Sequence, residues 1–351
     1  PICESKARGE NGHGKHPINL KKMADTISCH ESLFKYFLDG SRQTYKIDDI
    51  SYGNVVYPVI AGQIGVGCCT RENREIKIEP DLFQRKLVIA LPEALSADGW
   101  DLDIRLENLK RKINSDSLLQ RFGINIDLVV KYSTRQNDIS YENRGIAMIQ
   151  SHMIEMEKDM VSTLVSKQKL NQESYLIKDG SIEYQQVSSK LRDRNDLTNK
   201  KILNNYRYVI GVSKSFDPTK CKTKDGGTNS DIIANLKPFE RTPGSMYCSK
   251  QVGDIWFVIW YVRIRDAKYS SNVFDGVLKV EKILIDRDGA GSPPPMDSDL
   301  IDHITANLLN ERNPVCYGKD PRWANHIYPI YLTESYIKSK YLSHNMFMEL
   351  F

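Results

Sequence analysis

Apolar and polar positions alternate along the chain in two different periods. Short runs rich in β-branched and aromatic residues recur at Phe34–Leu38, Tyr52–Gly65, Lys86–Leu91, Ile124–Tyr132, Glu173–Ile177, Tyr206–Val212, Asp254–Ile264 and Gly276–Ile285. Such runs predict strands, and the continuous ones predict strands buried on both faces. Arg74–Ile78 is a candidate hairpin partner for the second run. Between them lie patterns of helical period: Leu102–Ile113, Tyr141 to about Lys169, Ser298–Leu309 with Ser298 as candidate N-cap, and Leu332–Phe351. Strands alternating with helices predict an α/β fold, and the hairpin-like opening predicts a mixed sheet.

Of the 351 residues, 40% are hydrophobic and 27% charged, which excludes a disordered or collagen-like chain. The net charge of +4 is compatible with a nucleic-acid partner without arguing for one. No apolar run approaches the roughly 18 residues of a membrane-spanning helix. The stretch Pro1–Met23 is polar, begins without Met, lacks the apolar centre of a secretory signal and reads as part of a flexible arm, residues 1–30, that has been trimmed. Seven scattered cysteines contain no CxxC pair, so a reducing cytoplasm fits better than a disulfide framework or zinc site.

One pattern occurs twice. FKYFL runs into Asp39-Gly40-Ser41, and ESYLIK runs into Asp179-Gly180-Ser181. Two readings stand for each: a hairpin turn, or an aspartate delivered at a strand end for metal chemistry. A hard-cation site needs several carboxylates from separate elements, and the long helix offers one. With Met153 at zero and about 100° per residue, Ile149, Met156, Met160 and Leu164 fall within about 60°, and Glu157 lies about 40° from the centre of that stripe. Glu155 lies about 200° away and is predicted to face water. A carboxylate on the buried face is costly unless it is ion-paired or holds a metal, and both readings stay open.

The order of a DGSR strand, a Met- and Glu-bearing helix, a second DGS strand, YVIGVSK (Tyr208–Lys214), an aromatic VRI strand and a late YP segment resembles the NurA nuclease family, over Asp39 to about Tyr336. The resemblance implies a ribonuclease-H-like mixed sheet flanked by helices with an accessory insertion, here about residues 97–133 of one nuclease domain spanning 31–351. It also implies DNA as substrate, Mn²⁺ or Mg²⁺ as cofactor, a homodimer, and a HerA-like hexameric ATPase as partner. Carried over by residue, Asp39, Glu157 and Asp179 correspond to the family's metal ligands, with Glu155 as the neighbouring alternative to Glu157. Lys214 corresponds to its strand-end lysine, and Tyr328 to the tyrosine of the YP motif. The family's later histidine is missing: the matching stretch reads TESYIK, with Tyr336 near its place and His326 as a substitute.

Arg42, Lys214, Lys220 and Lys222 are the basic residues expected to hold phosphate backbone without reading sequence. The glycines of GQIGVG (Gly62–Gly67) have the wrong spacing for a dinucleotide fingerprint, and no Walker-type or GxSxG motif occurs. The activity that the resemblance implies is a metal-dependent deoxyribonuclease supplied by a translocase, in antiphage defence or DNA end processing. A catalytically inactive ribonuclease-H-like subunit that binds nucleic acid or scaffolds the translocase is the alternative.

Overall fold

The computed structural model describes residues 16–93, 102–135, 138–183, 203–219, 228–249, 255–266, 272–285, 296–312 and 321–351. In chain order the elements are β1 (Ile18–Asn19), α1 (Lys21–Ile27), β2 (Phe34–Tyr52), β3 (Val55–Glu72), β4 (Glu75–Pro92), α2 (Leu102–Asn114), α3 (Ser117–Arg121), β5 (Leu128–Tyr132) and α4 (Tyr141–Ser166). They continue as β6 (Tyr175–Asp179), β7 (Val209–Ser213), α5 (Ser230–Ala234), β8 (Glu240–Arg241), β9 (Ser245–Ser249), β10 (Ile255–Arg263) and β11 (Val277–Ile283). The chain ends with α6 (Ser298–Asn310), a 3₁₀ turn (Pro321–Asn325), α7 (Tyr328–Ser339) and α8 (His344–Met348). This is the expected α/β class with a mixed sheet.

The chain forms two compact units. The first takes the described residues of Pro1–Leu38, Cys69–Lys77 and Val161–Leu332; the second takes those of Asp39–Cys68, Ile78–Met160 and Thr333–Phe351.

In the first unit the strand order is β1-β8-β10-β11-β7-β6-β2, with β9 also on β10. β2, β6 and β7 run parallel, and β11 and β10 follow antiparallel. β7 and β11 are buried along their whole length, and β10 along all but one residue. That explains why β7 and most of β10 read as continuous apolar runs. Helix α6 packs Ile301, Ile304, Leu308 and Leu309 inward, and its Thr305 hydroxyl accepts from Trp260 Nε1 at 2.9 Å. Its N-cap is Asp297, whose carboxylate accepts from Leu300 N; Ser298, the expected cap, is the first helical residue. Residues 18–27, expected within a flexible arm, form β1 on β8 and α1. Asn310 Nδ2 donates to Ala24 O at 2.8 Å and ties α1 to α6.

In the second unit the order is β2-β3-β4-β5, with β5 parallel to β4. Helix α4 lies against one face of β3, where a Cβ on Gly145 would stand 2.7 Å from Ile60 Cγ1. Helix α7 lies against the other, where Cβ atoms on Gly65 and Gly67 would stand 2.6 and 3.1 Å from Ile337. The glycines of GQIGVG therefore make room for helices inside a strand. Leu119, Ile124 and Ile126 share a core with Val59, Leu87, Ile89 and Phe347. Part of the expected accessory stretch 97–133 is thus core of this unit, and α8 places Phe347 in the same core.

Candidate active site

The two Asp-Gly-Ser motifs have different structures. Neither the turn nor the strand-end reading describes the first: Asp39, Gly40 and Ser41 lie inside β2, which runs on to Tyr52. The second ends its strand, with Asp179 as the last residue of β6 and Gly180 at φ +85°.

Within the second unit, Glu157 reaches the strand that carries Asp39 and lies against the next residue, Gly40. Asp39 is 5% exposed and its Oδ1 accepts from the Gly40 amide at 2.8 Å. Glu157 is 4% exposed, on the face of α4 that also buries Ile149, Met153, Met156 and Met160. A Cβ on Gly40 would stand 2.5 Å from Glu157 Oε1, so the carboxylate of α4 rests on the β2 backbone beside Asp39. Glu155 faces solvent as its period requires and pairs with Lys158 at 2.8 Å.

Tyr341, which the sequence did not single out, belongs to this group. Its hydroxyl donates to Ser41 O at 2.7 Å. Its pKa is pushed up to about 12, chiefly by burial, with the charge of Asp39 adding to the effect and the bond to Ser41 opposing it. The next residue is pinned by Gln63, whose amide accepts from Leu342 N at 2.8 Å and donates to Leu342 O at 2.9 Å. Tyr336, near the place of the family's histidine, instead packs edge-on against Phe83 with ring centroids 5.2 Å apart. Arg42 is exposed on β2.

Within the first unit, Asp179 and Lys214 form a pair. Asp179 Oδ2 accepts from Lys214 Nζ at 3.0 Å, with 22% of the aspartate side chain exposed. A second ammonium, Lys178 Nζ, donates to the Asp179 carbonyl at 2.7 Å. Lys214 follows β7 directly, and its carbonyl accepts from Asn325 Nδ2 at 3.2 Å, which links the 3₁₀ turn to this strand end. His326, next in the chain, is 3% exposed and stacks on Tyr331 at 5.5 Å. Tyr328 is 37% exposed at the start of α7. Of the two candidates for handling a proton, Tyr328 is thus the one that meets solvent.

Lys220 and Lys222 lie outside the described residues. Among the described residues no three His, Cys, Asp or Glu side chains gather as a cation-binding group. No described helix is long and apolar enough to cross a membrane.

No family model matches the sequence, and no curated protein matches it with significance. Among solved structures, the NurA nuclease from Sulfolobus solfataricus is similar at a TM-score of 0.40 and 12% identity, over 92% of this chain and 81% of that one. A likeness of this depth does not establish a shared family or activity.

Proposed function

We propose that the chain is a metal-dependent nuclease that hydrolyses phosphodiester bonds in DNA. The observation that carries this reading is the burial of Asp39 and Glu157 at one stretch of β2. Two carboxylates 118 positions apart in sequence are buried in the second unit, Asp39 on β2 and Glu157 of α4 against the next residue of that strand, Gly40. Their hard oxygen donors suit Mn²⁺ or Mg²⁺, and they are the residues that would hold the ion. When bound, such a cation supplies Lewis-acid polarisation of a phosphoryl oxygen. Asp179, the third residue the resemblance names, stands in the first unit, paired with Lys214.

The remaining roles fall to side chains with suitable chemistry. Lys214 neutralises phosphate charge. Tyr328 orients water or gives a proton to the leaving oxygen. Arg42 holds phosphate backbone without reading sequence. Tyr341 is a neutral hydrogen-bond donor at neutral pH, and burial extends that state to higher pH. The sequence carries no Walker-type motif, so processive digestion of duplex DNA needs a translocase. A HerA-like hexameric ATPase acting with a dimer of this chain is the proposed arrangement, in antiphage defence or DNA end processing. Native mass measurement after co-expression tests it; absence of any complex removes the partner claim.

The test of the activity is digestion of labelled single- and double-stranded DNA with Mn²⁺ or Mg²⁺, for the wild type and Asp39→Ala. Cleavage by the wild type that is lost in the variant and in chelator is expected. Equal cleavage by both would overturn the assignment. The Asp179–Lys214 pair favours a second reading, an inactive subunit that binds nucleic acid or scaffolds the translocase, because an ion-paired aspartate has its charge already engaged. DNA binding without digestion in the same assay would decide for it.

A further inference from the structure

We infer that Glu281, through Ser181 and Ile182, fixes the position of Asp179. The inference rests on the nuclease reading only for its catalytic consequence; the contacts themselves lie within the first unit. β11 reads VLKVEKI and is buried throughout, yet it carries Lys279, Glu281 and Lys282. Charged residues are rarely fully buried without a partner, so each needs an account. The strand registers align Lys178 of β6 with Gly211 of β7, and Gly211 with Glu281 of β11. Glu281 therefore stands two strands away from the residue that precedes Asp179.

Beyond Asp179 the chain turns at Gly180 and crosses β7. A Cβ on Gly211 would meet Gly180 O and Ile182 Cγ2 at 3.0 Å each, so the crossing is flush with the strand. Glu281 holds it there: its Oε2 accepts from Ser181 Oγ at 2.7 Å and from Ile182 N at 3.0 Å. Glu281 is 0% exposed and forms an ion pair with Lys279 on the same face of β11. A second anchor follows, where the Glu183 carboxylate accepts from Ser249 Oγ at 2.5 Å and Tyr247 Oη at 3.1 Å.

The peptide groups around Asp179 are thereby held in succession. Its carbonyl accepts from Lys178 Nζ, the Gly180 amide donates to Val212 O at 2.8 Å, and the Ile182 amide donates to Glu281 Oε2. A backbone fixed on both sides of one aspartate sets its side chain toward Lys214. Charge-assisted hydrogen bonds to a buried carboxylate are the stronger kind, which suits a fixed support. Glu281 is thus a positioning residue, separated from the carboxylate it serves by a Ser-Ile bridge.

The test uses Ser181→Ala, Ser181→Thr and Glu281→Gln in the full chain, with two readouts. The first is the rate of metal-dependent DNA cleavage. Ser181→Ala should lower kcat by about tenfold to 10²-fold with KM and melting temperature nearly unchanged, and Ser181→Thr should recover most of it. The second is hydrogen exchange at the Gly180 and Ile182 amides, which needs no activity. Ser181→Ala and Glu281→Gln should speed exchange there while strand β10 stays protected. Wild-type protection at both amides in both variants overturns the inference, as does a matched change of KM and kcat in Ser181→Ala. A wild-type protein that cuts no DNA removes the nuclease reading alone, and the exchange readout then decides the positioning claim.

Discussion

Glu157 rests its carboxylate on the backbone of Gly40, with Oε1 2.5 Å from where a Cβ on that glycine would stand. The atom in the way is the end of a flexible side chain, so an added methyl is expected to move the carboxylate before it unfolds the protein. Gly40→Ala should therefore melt within a few degrees of wild type, since overpacking of this kind costs about 1–3 kcal/mol. It should bind Mn²⁺ more weakly by calorimetry. Unchanged metal affinity would mean that the Glu157 carboxylate does not contribute to binding.

Asp39→Asn and Glu157→Gln preserve shape and remove one charge each. If the two carboxylates hold a cation, each change should cost at least about 10- to 100-fold in metal affinity or cleavage rate, with little loss of fold. The check is metal titration alongside thermal melting. A large drop in melting temperature with intact metal binding would assign the pair to structure.

Lys214 separates two roles by its salt behaviour. As a phosphate contact, its replacement by Met should weaken DNA binding across sequences and lower the slope of log K against log salt by about 1. As a partner of Asp179 alone, it should leave that slope unchanged. Fluorescence anisotropy at several salt concentrations distinguishes them.

The fold was legible where burial was simplest. β7 and β10 are buried on both faces, and β7 and Ile255–Val262 of β10 show as unbroken apolar runs. The outer half of β2 was missed because its residues, RQTYKIDDISY, are mostly polar and exposed or half-buried. Helical period alone placed Glu157 inward and Glu155 outward, because α4 is long enough for its stripe to be read. The Asp179–Lys214 pair depends on the alignment of β6 with β7, which is set by contacts distant in sequence. Tyr341 and Glu281 were illegible for the same reason: their partners are 300 and 100 residues away.

Tyr341 links the site to alkaline stability. Its pKa rises on folding from 10.0 to about 12, so the folded state favours the neutral phenol. Its contribution is full below about pH 10 and is lost as the pH rises to about 12, a change of at most about 3 kcal/mol. Tyr341→Phe should remove that part of the pH dependence and cost about 1 kcal/mol at pH 8 for the lost bond to Ser41 O. Urea melts of both proteins between pH 8 and 11 provide the comparison; parallel curves would count against the linkage.

Lys282 runs the other way. It is buried in β11 with its Nζ donating to Arg207 O at 2.7 Å, and its pKa is pushed down from 10.5 to about 8, first by burial and then by the nearby Arg207. A depressed lysine favours the neutral amine in the folded state. The stability is present above pH 10.5, falls as the pH drops toward 8, and below 8 the full penalty applies, on the order of 3 kcal/mol. Lys282→Met keeps the apolar stem and removes the charge, at the cost of one hydrogen bond worth about 1 kcal/mol. The variant should therefore be the more stable protein at pH 7, with an advantage that shrinks toward pH 10. Denaturant melts across that range decide it. An advantage that does not vary with pH would show that the buried ammonium is stabilised by contacts that offset its desolvation.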